Sequence, residues 1–319
     1  MRIVITGSNG QIGQFLTRTW LEKGHEIIGL ARRPYPSDHP RLTHLVWDGE
    51  NLGDWASAVD GADVVLNLAG RTVNCRYTPE NLKQMMDSRI RSTQVIGAAI
   101  EQASEPPALW LQMSTATIYS HRFDAPNDEE TGEIGGREPD APDYWSYSVE
   151  IAQRWEATQA AASTPQTRQV SLRAAITMSP DLGGIFDVLY KMTRLGLGGA
   201  VGGGDQYVSW IHERDFVRAL ELIIDNPEAL GPINLCAPNP LPQHEFMREL
   251  RRAMGVKVGL PATRWMAEIG AFFMRTDTEL LLKSRRVIPT RLTELGMTFE
   301  YPEWGNAARE LVMRRRAQA

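Results

Sequence analysis

The chain has 319 residues, with 34 Lys plus Arg against 39 Asp plus Glu and a formal net charge of −5. That balance argues against general binding to a nucleic-acid backbone, which needs a basic footprint, and the length rules out a small stapled scaffold while allowing one large or two coupled domains. With 42% hydrophobic and 23% charged residues the composition is that of a globular protein, and no apolar run approaches the ~20 residues of a membrane helix, so neither nucleic acid nor membrane is expected as a partner.

Met1 to Gly7 runs directly into a strand and a glycine, without the apolar core and cleavage site of a signal peptide, so a cytoplasmic location is expected. Arg2 to Thr6, Glu26 to Leu30, His44 to Trp47, Asp63 to Leu68, Leu109 to Ser114 and Gln169 to Arg173 read as strands, with helix-like stretches between most of them. Val64-Val65-Leu66 and Leu109-Trp110-Leu111 are continuously apolar, as in strands covered on both faces. The alternation predicts an α/β fold with a Rossmann-type doubly wound parallel sheet. One long helix is expected from about Thr78 to Gln102 and a second from near Trp145 to just before Ser163. Beyond about Met178 the alternation stops at a stretch holding Gly196, Gly198, Gly199, Gly202, Gly203 and Gly204, followed by strand-like runs at Tyr207 to Ile211 and Ile233 to Leu235. The tail from Pro242 reads as mainly helical, punctuated by Pro261 and Pro289. The expected organisation is a Rossmann domain over 1–178, to which 206–238 returns, and a small, mainly helical substrate-side region over 179–319. Cys75 and Cys236 lie far apart in sequence and suggest neither a disulfide framework nor a metal site. Arg314-Arg315-Arg316 reads as a solvated helix end.

The first strand is followed by Gly7-Ser8-Asn9-Gly10-Gln11-Ile12-Gly13 and then by a segment of helical composition. Glycines at i, i+3 and i+6 permit a tight turn and close approach to a pyrophosphate, and the helix N-terminus supplies N–H donors. Gly7, Asn9, Gly10, Gln11 and Ile12 are therefore candidate dinucleotide contacts, the alternative being a glycine turn that only links strand to helix. The end of strand two sets cofactor choice, because an acid there accepts the ribose 2′-hydroxyl whereas an arginine accommodates a 2′-phosphate. Here it reads Gly29-Leu30-Ala31-Arg32-Arg33, with no acid. NADP(H) is the expected cofactor, contacted at Ala31 and Arg32; two solvated loop arginines are the alternative.

Gly-x-x-Gly-x-x-Gly, then Asn67-Leu68-Ala69-Gly70 and Ser114-Thr115-Ala116-Thr117-Ile118-Tyr119, resembles the extended short-chain dehydrogenase/reductases. With Gly202-Gly203-Gly204-Asp205-Gln206, Ser209-Trp210-Ile211-His212, Asp215, Asn234 to Pro238, Leu280 to Pro289, Leu295-Gly296 and Phe299, nearly the whole chain resembles the atypical, NAD(P)-dependent epimerase-like family that carries a short C-terminal domain of unknown function. The resemblance implies that Leu68, Ala69 and Gly70 line the cofactor ribose and that the region around Thr177 approaches the nicotinamide. Asp87-Ser88-Arg89-Ile90 resembles the family's Ser-Arg pair, at the place where many relatives put a cofactor-facing Asn. Arg89, with Gln84 five residues earlier, is thus a candidate cofactor contact; a surface helix salt bridge is the alternative for Arg89. The superfamily also implies a homodimer through the two long helices.

Reductases of this superfamily use a Ser or Thr, a Tyr, and a Lys four residues after the Tyr. Thr115 occupies the hydroxyl position and Tyr147 best fits the tyrosine, but Ile151 stands at the lysine position, and Tyr144 is followed at the same spacing by Ser148. Without a cation a phenol, with its ordinary pKa of ~10, serves as an acid more easily than as a base. One expectation is that Arg89 supplies the missing charge near Tyr147; for Tyr147 a packing role stands beside the catalytic one. His212 reads as a structural hydrogen-bonding residue at a strand-to-helix junction, with substrate contact the alternative. The expected function is an NADP(H)-dependent oxidoreductase or epimerase-like enzyme on a small carbonyl or alcohol. The competing reading is a non-catalytic NADPH-binding sensor with a degenerate Tyr/Lys site.

Overall fold

Continuously apolar strands need cover on both faces, and the computed structural model, which describes residues 1–33, 37–139, 141–142, 144–263, 266 and 279–318, provides it. Strands β1 (Arg2–Thr6), β2 (Glu26–Ala31), β3 (Leu42–Val46), β4 (Val64–Asn67), β5 (Leu109–Thr115), β6 (Arg168–Ala174) and β10 (Gly231–Leu235) form one parallel sheet. Its order is β10-β6-β5-β4-β1-β2-β3, the doubly wound arrangement with its reversal between β1 and β4. Side chains of a strand alternate between faces. Ile3 and Ile5 accordingly meet Phe15, Leu16 and Trp20 of α1 (Gln11–Glu22) and Phe216 and Leu220 of α5 (Glu213–Asp225). Val4 and Val65 meet Val95, Ile96 and Ile100 of α2 (Pro79–Gln102) on the other face. Thr78 caps α2 by accepting from the Asn81 amide, and Pro79 occupies the first turn, where its missing N–H costs nothing. Helix α3 (Trp145–Ala160) packs beside α2.

The remaining elements form a smaller lobe at the carboxyl ends of the strands. Strand β7 (Ile176–Met178) pairs with β9 (Trp210–His212), and β8 (Tyr207–Val208) with β11 (Leu241–Pro242). Met178, Trp210, Phe186 of α4 (Ile185–Arg194), Phe246 of α6 (Gln243–Met254), and Trp304 and Leu311 of the C-terminal helix Trp304–Ala317 make its core. The Phe246 and Trp304 rings stack at 4.0 Å. Among the described residues no helix is long and apolar enough to cross a membrane.

Three sequence expectations change. The run Tyr207 to Ile211 is two strands in two sheets, because Ser209 between them turns its hydroxyl to the carbonyls of Arg285 and Val287. The glycine stretch is preceded by a helix, α4, that the sequence pattern did not suggest. Arg315 is not a solvated helix end but buried, with both Nε and Nη2 on Asp187 at 3.2 and 2.9 Å. The part of the expected helical tail over 264–278, Met266 excepted, lies outside the described residues.

Asp187 ties α4 to the C-terminal helix, since it also accepts from Lys191 Nζ at 2.6 Å and the Gly183 amide at 3.1 Å. Burial alone would raise this carboxyl, but the hydrogen bonds from Lys191, Arg315 and Gly183 outweigh it and hold it at about 2. A folded-state value below the unfolded one means stabilisation that is complete above about pH 4 and lost as pH falls toward about 2. Asp187→Asn is expected to cost on the order of 2 kcal/mol at neutral pH and to flatten the acid limb of the melting-temperature profile. Calorimetry across the acid range checks this; an unchanged acid limb in the variant would show that the tether does not contribute.

Candidate cofactor and substrate site

The loops leaving β1 and β4 meet where the strand order reverses, and a buried polar network fixes them there. Thr6 Oγ1 donates to Asn67 Oδ1 at 2.6 Å and accepts from the Leu68 and Ala69 amides at 3.0 and 3.1 Å. Asn67 Nδ2 donates in turn to Gln112 Oε1 at 2.9 Å, linking β1, β4 and β5. Directly above, Gly7 sits at φ +64°, and a Cβ on it would stand 3.3 Å from the Leu68 carbonyl. At Gly13 a Cβ would fall 2.6 Å from both Gly7 O and Ser8 Cα, so only glycine lets α1 pack this closely on the loop. No side chain caps α1 at Gly10, which leaves its first-turn amides available to an anionic group. The backbone thus has the shape and polarity of a pyrophosphate cradle.

The other sequence-selected residues border this cradle from successive strand ends. Ala31 is buried at the end of β2, and Arg32 and Arg33 follow it exposed. Asn9 Nδ2 donates to the Arg33 carbonyl at 3.5 Å, whereas Arg32 makes no hydrogen bond or ion pair among the described residues. Ile12 packs against the core, and the Gln11 side chain lies against Gly184 at the start of α4, bringing the smaller lobe to the loop. Thr177 is buried in β7, just beyond β6. Gln84 is exposed and hydrogen-bonds the Glu80 carboxylate on its own helix.

Arg89 is not in a surface salt bridge. It is 9% exposed, donates to the Met85 and Arg71 carbonyls at 2.9 and 3.1 Å, and lies 4.9 Å over the Trp155 ring, against Gly70. Burial pulls its guanidinium down to about 10, with Tyr77 and Cys75 the groups that oppose the shift. Tyr147 is not among them. Half-buried, it packs in a cluster with Met85, Met86 and Ile151. His212 is buried, caps α5 through the Arg214 amide and meets Glu310 at 3.0 Å, a structural arrangement.

Thr115, at the end of β5, accepts the Thr117 amide on Oγ1 at 3.2 Å. With one lone pair engaged in this way, its own O–H is left to donate to a substrate oxygen. Behind it, Arg173 grips Glu156 through two nitrogens at 2.9 and 2.8 Å, and Glu156 takes the Ser114 hydroxyl at 2.6 Å, so β5, β6 and α3 hold a fixed geometry. Sequence reasoning missed the C-terminal contribution. Lys283 Nζ donates to the Thr117 carbonyl at 3.0 Å and Arg285 Nε to its hydroxyl at 3.1 Å. Glu279 stands 3.5 Å from Lys283 and takes the Ser148 hydroxyl at 2.6 Å. Burial lowers the Lys283 ammonium against the attraction of Glu279. The available signal was a set of charged residues, Glu279, Lys283, Arg285 and Arg286, flanking the apolar runs Leu280 to Leu282 and Val287 to Ile288.

Residues 3–236 match the model of the NAD dependent epimerase/dehydratase family, and residues 262–311 match a domain of unknown function, DUF1731. The chain is 31% identical to the human epimerase family protein SDR39U1, over 98% of this chain and 100% of that protein. It is 32% identical to the epimerase family protein SERP0438 of Staphylococcus epidermidis, over 98% of this chain and 99% of that one. The crystal structure of human SDR39U1 isoform 2 with NADPH superposes with a TM-score of 0.85 at 28% identity, covering 98% of this chain and 99% of that chain.

The Thr6 hydroxyl offers a clean perturbation of the cradle. Thr6→Val keeps shape but leaves the Leu68 amide without its acceptor, while the Ala69 amide keeps Asn67 Oδ1 at 3.1 Å, and is expected to cost about 1–3 kcal/mol. Chemical denaturation measures the loss, and amide exchange at Leu68 should accelerate more than at Ala69 or Ile3; a stability within about 0.5 kcal/mol of wild type would remove the network from this role.

Proposed function

Because the chain belongs to the NAD dependent epimerase/dehydratase family, we propose that it is an NADPH-dependent oxidoreductase acting on a small carbonyl compound. The observation that carries the cofactor assignment is Arg32, exposed and without an ion partner among the described residues, just past β2 and beside a helix N-terminus whose glycine loop leaves room for a pyrophosphate. The human relative's crystal structure with NADPH supports it. In this reading the α1 amides hold the pyrophosphate, Arg32 the 2′-phosphate, and Leu68 to Gly70 the ribose. The unit 1–178, to which β10 returns, carries the cofactor, and the smaller lobe from 179–319 closes the substrate side.

When bound, the reduced nicotinamide supplies a hydride to a carbonyl carbon. Thr115 donates a hydrogen bond to the carbonyl oxygen, oriented by the Thr117 amide. The Tyr147 phenol is assigned the proton which that oxygen takes up, and the Met85, Met86 and Ile151 side chains beside it exclude water. A second reading, a non-catalytic NADPH sensor, is favoured by one specific observation. Ile151 fills the place of the family's lysine among thioethers, so no ammonium stands four residues beyond Tyr147.

Fluorescence energy transfer from tryptophan to the nicotinamide, titrated with NADPH and NADH, tests the cofactor assignment. Wild type is expected to prefer NADPH, and Arg32→Ala to weaken NADPH by about tenfold to a hundredfold with little change in NADH. An NADPH affinity that Arg32→Ala leaves unchanged would refute it.

A further inference from the structure

A buried cation is tolerated when a carboxylate neutralises it, and is costly otherwise. Among the described residues the charges around Thr117 do not balance. Lys283, Arg285 and Arg89 are 2, 8 and 9% exposed, and one close carboxylate, Glu279, stands among them in the described residues. Glu279 is shared between Lys283 and the Ser148 hydroxyl. Glu138, whose charge also reaches Lys283, engages its two oxygens with the His121 and Gly136 amides, both at 2.6 Å. Among the described residues Arg285 bonds neutral acceptors alone, namely the Thr117 hydroxyl at 3.1 Å and the Glu279 and Lys283 carbonyls at 3.3 to 3.4 Å. Among the same residues Arg89 bonds main-chain carbonyls alone. Both guanidiniums lie within electrostatic reach of one phenol, Tyr77, and burial lowers both.

The two cations from the C-terminal segment are anchored on Thr117, whose amide is held by the Thr115 hydroxyl. Arg89 approaches from α2 beside Gly70. We propose that Arg285, Lys283 and Arg89 form the anion-binding end of the substrate site, so that the carbonyl compound handled at Thr115 carries a carboxylate or phosphate group. The assignment of that group to a substrate rests on the oxidoreductase reading; the anion site itself does not. The cofactor's own phosphates are taken by the α1 amides and Arg32, which leaves these cations for a second anion. A planar guanidinium suits either oxyanion, and an apolar surround strengthens the attraction.

The test is a calorimetric titration of the full-length, NADPH-saturated protein with malonate, with inorganic phosphate, and with the neutral malonamide. One or both anions should bind saturably and malonamide should not, and the tighter anion names the group. Arg285→Met should weaken anion binding by about tenfold or more, Arg285→Lys should retain most of it, and the NADPH affinity of both should stay within about twofold of wild type. The melting temperature of Arg285→Met reports whether the fold is retained, and Arg285→Lys, which keeps the charge, carries the test where it is not. Absence of binding by both anions, or binding that Arg285→Met leaves unchanged, would overturn the proposal. Repeating the titration without nucleotide separates it from the cofactor reading: Arg285-dependent anion binding by a protein that does not bind NADPH would keep the anion site and refute the cofactor.

Discussion

The structure hangs on the hydrogen bonds of one buried hydroxyl. Thr6 Oγ1 joins β1 to β4 at the reversal of the strand order and takes the two amides with which the chain leaves β4. Buried amides left without an acceptor cost about 1–3 kcal/mol each, so the chain leaving β4 has little freedom to move. That constraint places the Leu68 carbonyl under Gly7, sets the glycine loop over it, and through Asn67 and Gln112 fixes β5 alongside. Thr115 then ends β5 at a set distance from the cradle, and the pairing of Arg173 with Glu156 stiffens the next strand and helix in turn. The site is a consequence of sheet register as much as of its own residues.

Much of this was legible in the sequence because the relevant physics is local. Apolar runs such as Val64 to Leu66 declare strands covered on both faces, and the spacing Gly7, Gly10, Gly13 declares close approach of backbone to backbone. The exposed place of Arg32 just past β2 could be read because strand two ends next to it. What escaped depends on neighbours far away in the chain. Arg89 sits on a helix that carries ion pairs elsewhere, such as Lys83 with Asp87, and only the packing of Trp155 and Gly70 on it reveals a buried guanidinium. Helix α4 carries β-branched and aromatic residues, Ile185, Phe186, Val188 and Tyr190, and is secured by Asp187 reaching Arg315 on the C-terminal helix, a contact no local pattern contains. Lys283 and Arg285 reach Thr117 across more than half the chain.

The same long-range contacts give the C-terminal segment its meaning. An ammonium at position 151 would stand among Met85 and Met86, where desolvation disfavours charge. The chain keeps isoleucine there, and its C-terminal segment sets Lys283 and Arg285 against Thr117, in the turn that follows Thr115. In the proposed reading, chemistry at this site depends on a hydroxyl donor and nearby cations, with the C-terminal segment as a wall, and less on activating a phenol.

If the cradle delivers a nicotinamide to Thr115, a crystal structure of the protein with NADPH will show the 2′-phosphate on Arg32 and the nicotinamide ring bordering a space that the Thr115 hydroxyl and the Tyr147 phenol both reach. A nicotinamide directed away from Thr115, with its carboxamide face packed on another surface, would contradict it.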